Sequence, residues 1–172
     1  MGLVQVYTGN GKGKTTAALG LCLRALGHGL KVCLIQFMKG ARDCYGESLI
    51  APSLEGLTVF QFGRAELVAR DNPSPADFEE ARAGLLEAQR QLKGRGCDLL
   101  ILDEINVAVD FGLLGLNEVL SLIEEKPEDI ELVLTGRNAP REIIEKAQLV
   151  TEMREIAHPF RKGVGARKGI DY

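Results

Sequence analysis

The feature that most constrains this chain is a glycine-rich loop at Thr8–Thr15, with the sequence TGNGKGKT. An apolar, strand-like run precedes the loop at Leu3–Tyr7, and small and apolar residues at helical spacing follow it as far as Gly27 or Gly29. Glycines let successive backbone N–H groups point inward, a lysine adds positive charge, and the helix start adds its dipole. The loop is therefore predicted to bind a polyphosphate, with a nucleotide as the expected ligand. The residues predicted to contact it are Gly9, Asn10, Gly11, Lys12, Gly13, Lys14, Thr15 and Thr16.

The loop departs from the strict phosphate-loop pattern at one position. That pattern places a glycine five residues before the Gly-Lys-Ser/Thr ending, and this chain has Thr8 there, whereas Gly13, Lys14 and Thr15 fit. A glycine-rich turn that binds nothing is the alternative. The strand before the loop and the helix after it favour the phosphate site.

Length and composition exclude several classes of protein. The 172 residues fit one domain, residues 1–172, in which a basic, glycine-rich tail begins at about 159. A net charge of −3 gives no reason to expect nonspecific nucleic-acid binding. The four cysteines form no C-x-x-C pair, which argues against a zinc site and a disulfide framework. No apolar run reaches the ~18 residues that span a bilayer, and no signal peptide is evident, so we expect a cytoplasmic protein without a membrane segment.

Apolar runs and helical patterns alternate along the chain. Predicted strands after the first are Lys31–Phe37, Leu57–Phe62, Asp98–Asp103, Glu131–Thr135 and an edge strand within Leu149–Ile156. Three more helices are predicted after the first. One begins at Ser74 and ends at Gly94 or Gly96, one runs from Leu116 to Glu125, and one covers Pro140–Ala147. The weakest stretches for structure are Ala41–Ser53 and Arg64–Pro75. Such alternation predicts an α/β fold with a mostly parallel sheet, helices on both faces, and ligands at the carboxyl ends of the strands.

Two acids at the end of an apolar strand indicate a metal site. Asp103 and Glu104 follow Leu99–Leu102, and in phosphate-loop proteins a strand-end acid acts with the hydroxyl after the loop lysine, here Thr15, to hold Mg²⁺. An acid that merely caps a helix beginning at Ile105 is the alternative. The sequence does not say which of the two acids contacts the ion.

Other charged residues are weaker candidates. Arg137 follows Thr135 and Gly136 at a strand end, where it is predicted to brace a phosphate, with a surface arginine as the alternative. His28 is explained by helix termination, and His158 has no partner histidine, so neither supports a catalytic triad. The basic residues of the tail fit a solvated tail and a flap over anionic ligands equally well. They are Arg161, Lys162, Arg167 and Lys168.

Taken together, six segments resemble the P-loop family of ATP:corrinoid adenosyltransferases over nearly the whole chain. The segments are Thr8–Thr16, Gln36–Gly40, Gly46–Glu47, Leu102–Ile105, Leu134–Arg137 and His158–Phe160. That family uses the same shortened glycine pattern, so the missing first glycine favours the assignment. The resemblance implies a P-loop NTPase-like, RecA-like fold.

The resemblance also implies an activity. Members transfer the 5′-deoxyadenosyl group of ATP to the cobalt of a reduced corrinoid and release triphosphate. Because Co(I) is the nucleophile, no general base is required. The implied catalytic residues are Lys14, which neutralises the triphosphate held by Gly9–Gly13, and Arg137. Thr15 and Glu104 are implied to hold Mg²⁺, with Asp103 as the alternative acid. A homodimer and a flavoprotein reductant are implied in the same way.

The corrinoid-binding residues stay unassigned, because some members place a tryptophan beneath the ring and this chain has none. Phe60 and Phe62 have the period-2 spacing of core residues, and aliphatic residues within Ala65–Val68 are a weaker substitute. Two other functions fit the phosphate loop: a P-loop ATPase or kinase, in which Glu104 is a base, and an ATP-sensing module that does not catalyse. A zinc-bearing type of thymidine kinase is disfavoured because the cysteine pairs are missing.

Overall fold

The computed structural model describes residues 1–40 and 45–172 and has the predicted α/β architecture. Six strands form one sheet in the order β3-β2-β4-β5-β1-β6, and every strand pair is parallel. The strands are β1 Val4–Thr8, β2 Val32–Phe37, β3 Leu57–Phe62, β4 Leu99–Asp103, β5 Glu131–Thr135 and β6 Leu149–Glu152. The helices are α1 Lys14–Gly27, α2 Gly46–Ile50, α3 Pro75–Gly94, α4 Ile105–Asp110, α5 Leu116–Glu124 and α6 Arg141–Lys146.

Helices cover both faces of the sheet, as predicted. Side chains alternate between the two faces of a strand, so that Leu100 and Leu102 of β4 join the larger apolar core whereas Leu99 and Ile101 join the smaller one. The larger core packs against α3, α4, α5 and α6, and the smaller core packs against α1. Because β2 and β4 are buried at every position, their sequences are apolar except at Gln36 and Asp103.

The predicted start of α3 is confirmed. The Ser74 side chain accepts a hydrogen bond from the Asp77 N–H, and the Asp77 carboxylate accepts one from the Ser74 N–H at 2.7 Å. This reciprocal cap satisfies two N–H groups that the helix itself leaves unpaired. At the other end, Arg95 has a φ of 49° and terminates the helix directly after Gly94.

Some elements differ from their predicted bounds. The stretch predicted to be weak at Ala41–Ser53 contains α2 and a 3₁₀ turn at Ala51–Ser53, while its residues 41–44 lie outside the described residues. The edge strand predicted within Leu149–Ile156 is β6, which ends at Glu152, because Glu152 pairs with Thr8, the last residue of β1. Beyond that pair, Met153 turns toward the glycine loop and accepts a hydrogen bond from the Gly11 N–H at 2.7 Å.

Phe60 and Phe62, whose spacing is that of core residues, are partly buried and pack against the larger core. Cys22, Cys33 and Cys97 are buried free thiols. In the part of the chain that the structure describes, no helix is both long enough and apolar enough to cross a membrane.

Candidate nucleotide-binding site

The glycine loop joins β1 to α1, and its backbone requires glycine. Gly9 and Gly13 have φ values of 92° and 115°, in the left-handed region that side chains disfavour. A Cβ atom at Gly9 would lie 2.4 Å from the Met153 carbonyl oxygen. Thr8, which replaces the first glycine of the strict pattern, uses its hydroxyl to accept the Ala139 N–H at 3.2 Å. The departure from the pattern therefore ties the loop to the turn after β5.

Lys14 is the first residue of α1, and its side chain turns back into the loop. Its ammonium group donates hydrogen bonds to the carbonyl oxygens of Gly9 and Gly11, both at 2.8 Å. Burial lowers the pKa of Lys14, and the nearby Glu104 charge opposes that shift. Two carbonyl oxygens of the loop thus fix the position of the ammonium group.

Asp103, at the end of β4, is completely buried and accepts hydrogen bonds from four side chains. Its Oδ1 accepts from the hydroxyls of Thr15 at 2.8 Å and Thr135 at 2.7 Å. Its Oδ2 accepts from the Lys39 ammonium at 2.8 Å and from the Gln36 amide at 3.4 Å. Protein donors therefore occupy both oxygens of this carboxylate.

Glu104 differs from Asp103 in its backbone and in its surroundings. Its φ of 64° is left-handed, and its N–H donates to the Thr135 hydroxyl at 3.0 Å. Its side chain lines the cavity beside the loop, and within residues 1–40 and 45–172 no hydrogen bond reaches its carboxylate. Burial, followed by the charge of Asp103, raises the pKa of Glu104. A non-glycine residue in this conformation at a cavity wall is typical of a functional site.

A cavity of about 620 Å³ lies in front of the loop. Its lining residues are Gly11, Lys12, Gly13, Lys14, Thr15, Thr16, Arg70, Glu104, Val107, Asp110, Phe111, Arg137, Asn138, His158 and Asp171. The structure thus brings most of the predicted loop residues together with Glu104 and Arg137. Asp103 lies behind the wall, and Asn10 lines a neighbouring hollow that Arg137 also borders.

The wall opposite the loop was not predicted from the sequence. Asp110, at the end of α4, accepts hydrogen bonds from Arg70 at 3.0 Å and from Asn138 at 2.9 Å. The Arg70 guanidinium lies 5.6 Å from the centre of the Phe111 ring. Arg70 is 40 residues before Asp110, in a segment without periodicity, so only the fold brings them together.

The C-terminal tail contacts the glycine loop through an acidic side chain. Asp171 forms an ion pair with Lys12, whose ammonium also donates to the Ile170 carbonyl at 3.2 Å. All four basic residues of the tail are exposed; among them, Arg161 pairs with Glu155 and Arg167 with Asp171. The contact between tail and loop is therefore made by an acidic side chain, and the roles of the tail cations stay a prediction.

The oxygen atoms beside the loop fit a hard divalent cation. In the described part of the chain, no cluster of three or more His, Cys, Asp or Glu residues forms an all-protein metal site. Mg²⁺ does not need one, since it is commonly bound by one or two protein oxygens together with substrate phosphates and water. The unbonded Glu104 carboxylate and the Thr15 hydroxyl offer such oxygens next to a phosphate loop.

A parallel sheet whose first strand leads into this loop, and whose fourth strand ends in Asp103, defines a P-loop NTPase-like protein. The fold resembles that of a KaiC-like protein from Pyrococcus horikoshii, with a TM-score of 0.55 and 19% identity over 88% of this chain and 71% of that one. The family model described as ATP:corrinoid adenosyltransferase BtuR/CobO/CobP matches residues 1–172, and the chain belongs to this family.

Curated relatives agree with the family assignment. The chain is 38% identical to the corrinoid adenosyltransferase of Escherichia coli, over 99% of this chain and 86% of that one. It is 36% identical to the corrinoid adenosyltransferase of Pseudomonas aeruginosa, over 99% of this chain and 84% of that one. The predicted family and enzyme class are therefore confirmed.

Proposed function

We propose that this chain transfers the 5′-deoxyadenosyl group of ATP to the Co(I) of a reduced corrinoid. Co(I) supplies the electron pair that forms the cobalt–carbon bond at C5′. The bond between C5′ and its oxygen breaks, and triphosphate leaves with the electron pair of that broken bond. The cobalt becomes Co(III). No proton has to be removed from the nucleophile, so the reaction requires no general base.

The observation that carries the proposal is a single cavity in which Lys14, Glu104 and Arg137 line the wall beside the glycine loop. The loop and its cations suit a triphosphate, which in this reaction is the leaving group. Charge that develops on a leaving triphosphate is stabilised best by donors that are already in place. The carbonyl-bound Lys14 and the strand-end Arg137 are such donors, and we assign both to catalysis.

ATP binding is assigned to Gly9–Thr16, and Mg²⁺ to Thr15 and Glu104. When bound, Mg²⁺ supplies positive charge that stabilises the triphosphate. Asp103 acts indirectly, because its oxygens already accept from Thr15 and from three other side chains. We therefore propose Glu104, rather than Asp103, as the acid that contacts the ion.

An anaerobic assay tests the proposal. Protein, Mg-ATP and chemically reduced cobalamin are mixed, the visible spectrum is followed for a light-sensitive product, and triphosphate is assayed against orthophosphate. A light-sensitive corrinoid with one triphosphate per adenosyl group is the expected result. Orthophosphate and ADP without a spectral change would instead indicate an ATPase or kinase, and ATP binding without any product would indicate a sensor.

Three further features are proposed, the dimer and the reductant from the family resemblance and the location from the cysteine spacing. We propose that the chain acts as a homodimer, that it works in the cytoplasm, and that a flavoprotein reduces the corrinoid. Sedimentation equilibrium tests the first, fractionation of the source cells tests the second, and replacement of the chemical reductant by a reduced flavoprotein in the same assay tests the third.

A further inference from the structure

A row of polar side chains crosses the sheet behind the nucleotide cavity. Gln61 of β3, Gln36 of β2 and Asp103 of β4 are direct neighbours in the strand register. The Gln61 amide donates to the Gln36 side-chain oxygen at 2.8 Å, and the Gln36 amide donates to Glu47 at 2.7 Å and to Asp103 at 3.4 Å. The bond from Gln61 fixes the orientation of the Gln36 amide, so that its donor end faces two acids.

Lys39 supplies the positive charge of this group. Its ammonium lies 2.8 Å from Asp103 Oδ2 and 3.6 Å from Glu47 Oε1, and its side chain is only 15% exposed. The turn after β2 fixes its position: Met38 has a φ of 59°, and the Lys39 N–H donates to the Phe62 carbonyl at 3.3 Å. Lys39 is not among the described residues that line the cavity.

The charge on Asp103 determines what the neighbouring hydroxyls can do. An ionised carboxylate only accepts hydrogen bonds, so the hydroxyls of Thr15 and Thr135 must both donate to Oδ1. Each hydroxyl has one proton. The proton of Thr15 is therefore used, and the oxygen lone pairs of Thr15, a residue of the cavity wall, remain free to accept or to coordinate.

We propose that Lys39 is a positioning residue for the cation of the bound nucleotide. Its ammonium holds the Asp103 carboxylate in place, the carboxylate holds the Thr15 hydroxyl, and Thr15 thereby presents oxygen to the divalent cation. Gln36 and Glu47 keep Lys39 and Asp103 in register. This inference rests on the proposed binding of a nucleotide triphosphate with Mg²⁺, and it adds a residue that has no contact with the cavity.

A lysine in this positioning role differs measurably from a lysine that binds phosphate. A phosphate-binding lysine contributes to affinity with or without the metal. A lysine that acts through Asp103 and Thr15 contributes only to the part of the affinity that the metal adds. Inorganic triphosphate is the suitable probe, because it needs neither the adenosine nor the corrinoid site.

The test measures binding of inorganic triphosphate by calorimetry, with Mg²⁺ and with a chelator. In Lys39→Met we expect the enhancement of triphosphate affinity by Mg²⁺ to fall at least about tenfold, because one charge-assisted hydrogen bond is lost. Affinity in the chelator should change by less than about twofold. Lys39→Arg, which keeps the charge, should recover much of the enhancement, and Lys93→Met, which removes an exposed lysine of α3, should behave as wild type.

Two results would overturn the inference. If Mg²⁺ still enhances triphosphate affinity as much in Lys39→Met as in the wild type, the ion pair is only structural. If affinity in the chelator falls as much as affinity with Mg²⁺, Lys39 contacts the triphosphate directly. If Lys39→Met does not fold, Lys39→Gln removes the charge but keeps an amide donor, and the same two criteria apply. A wild-type protein that does not bind triphosphate would overturn the proposed function itself.

Discussion

Thr135 joins the two acids of the site, and its replacement by valine should destabilise the protein strongly. The Thr135 side chain is completely buried; its hydroxyl donates to Asp103 at 2.7 Å and accepts the Glu104 N–H at 3.0 Å. Valine has nearly the same shape, so Thr135→Val removes these two bonds without opening a cavity. A hydrogen bond to a charged group contributes about 1.5–3 kcal/mol, and an orphaned buried N–H costs about 1–3 kcal/mol. The expected loss in the free energy of unfolding is their sum, about 2.5–6 kcal/mol.

Urea and thermal unfolding measure this loss. About 1 kcal/mol shifts Tm by about 2–4 °C in a domain of this size, so Tm should fall by at least about 5 °C. Thr135→Ser keeps the hydroxyl and is the matched control, which should retain most of the stability apart from the loss of one methyl group. A loss below about 1 kcal/mol in Thr135→Val would refute the argument, because it would mean that the two hydrogen bonds are replaced or are not made.

Three further variants test other contacts of the site. Glu104→Gln should stabilise the fold while weakening Mg²⁺-dependent binding of triphosphate. Because the folded-state pKa of Glu104 is raised, its ionisation opposes folding; the stability advantage of Glu104→Gln should be small below the unfolded-state pKa of about 4.3 and grow as pH rises through the folded-state pKa. Thermal melts from pH 4 to pH 8 would show this pH dependence, and a stability difference between variant and wild type that stays constant with pH would contradict it. Lys14→Ala should lower ATP affinity at least about tenfold in calorimetry, and unchanged affinity would refute the phosphate-loop assignment. Asp171→Asn should raise triphosphate affinity by up to about fivefold, since the exposed pair with Lys12 contributes only about 0.2–1 kcal/mol; lower affinity would show that the tail assists binding.

Sequence patterns predicted the sheet well because its four central strands, β2, β4, β5 and β1, are buried on both faces. Val32–Phe37 and Leu99–Asp103 are mostly apolar runs too short for helices, and the alternation with helical segments indicates parallel pairing. The start of α3 was predictable because its cap uses residues local in sequence, Ser74 and Asp77. By contrast, α2 is only five residues long and has no buried residue, so no apolar pattern in the sequence indicates it.

The candidate site was predictable where a motif or a strand end marks it. Lys14, Glu104 and Arg137 each follow an apolar strand or its loop, and all three line the cavity. Asp110 and Arg70 have no such mark, because one ends a short helix and the other lies in an irregular segment. Their contact depends on tertiary placement, which spacing along the chain does not encode.

Polar residues within otherwise apolar strands were the signal that sequence reasoning did not use. Gln36 is the one polar residue of β2, and it is fully buried, a position that a glutamine occupies only when its amide is hydrogen-bonded. The need to satisfy that amide implies polar partners on the neighbouring strands, and the register supplies them in Gln61 and Asp103. A buried amide in the middle strand of such a row therefore points to the strand-end acid beside it. Once the strand register is known, Gln36 therefore marks Asp103 as the acid held within the protein, which supports the proposal that Glu104, the next residue, contacts the ligand.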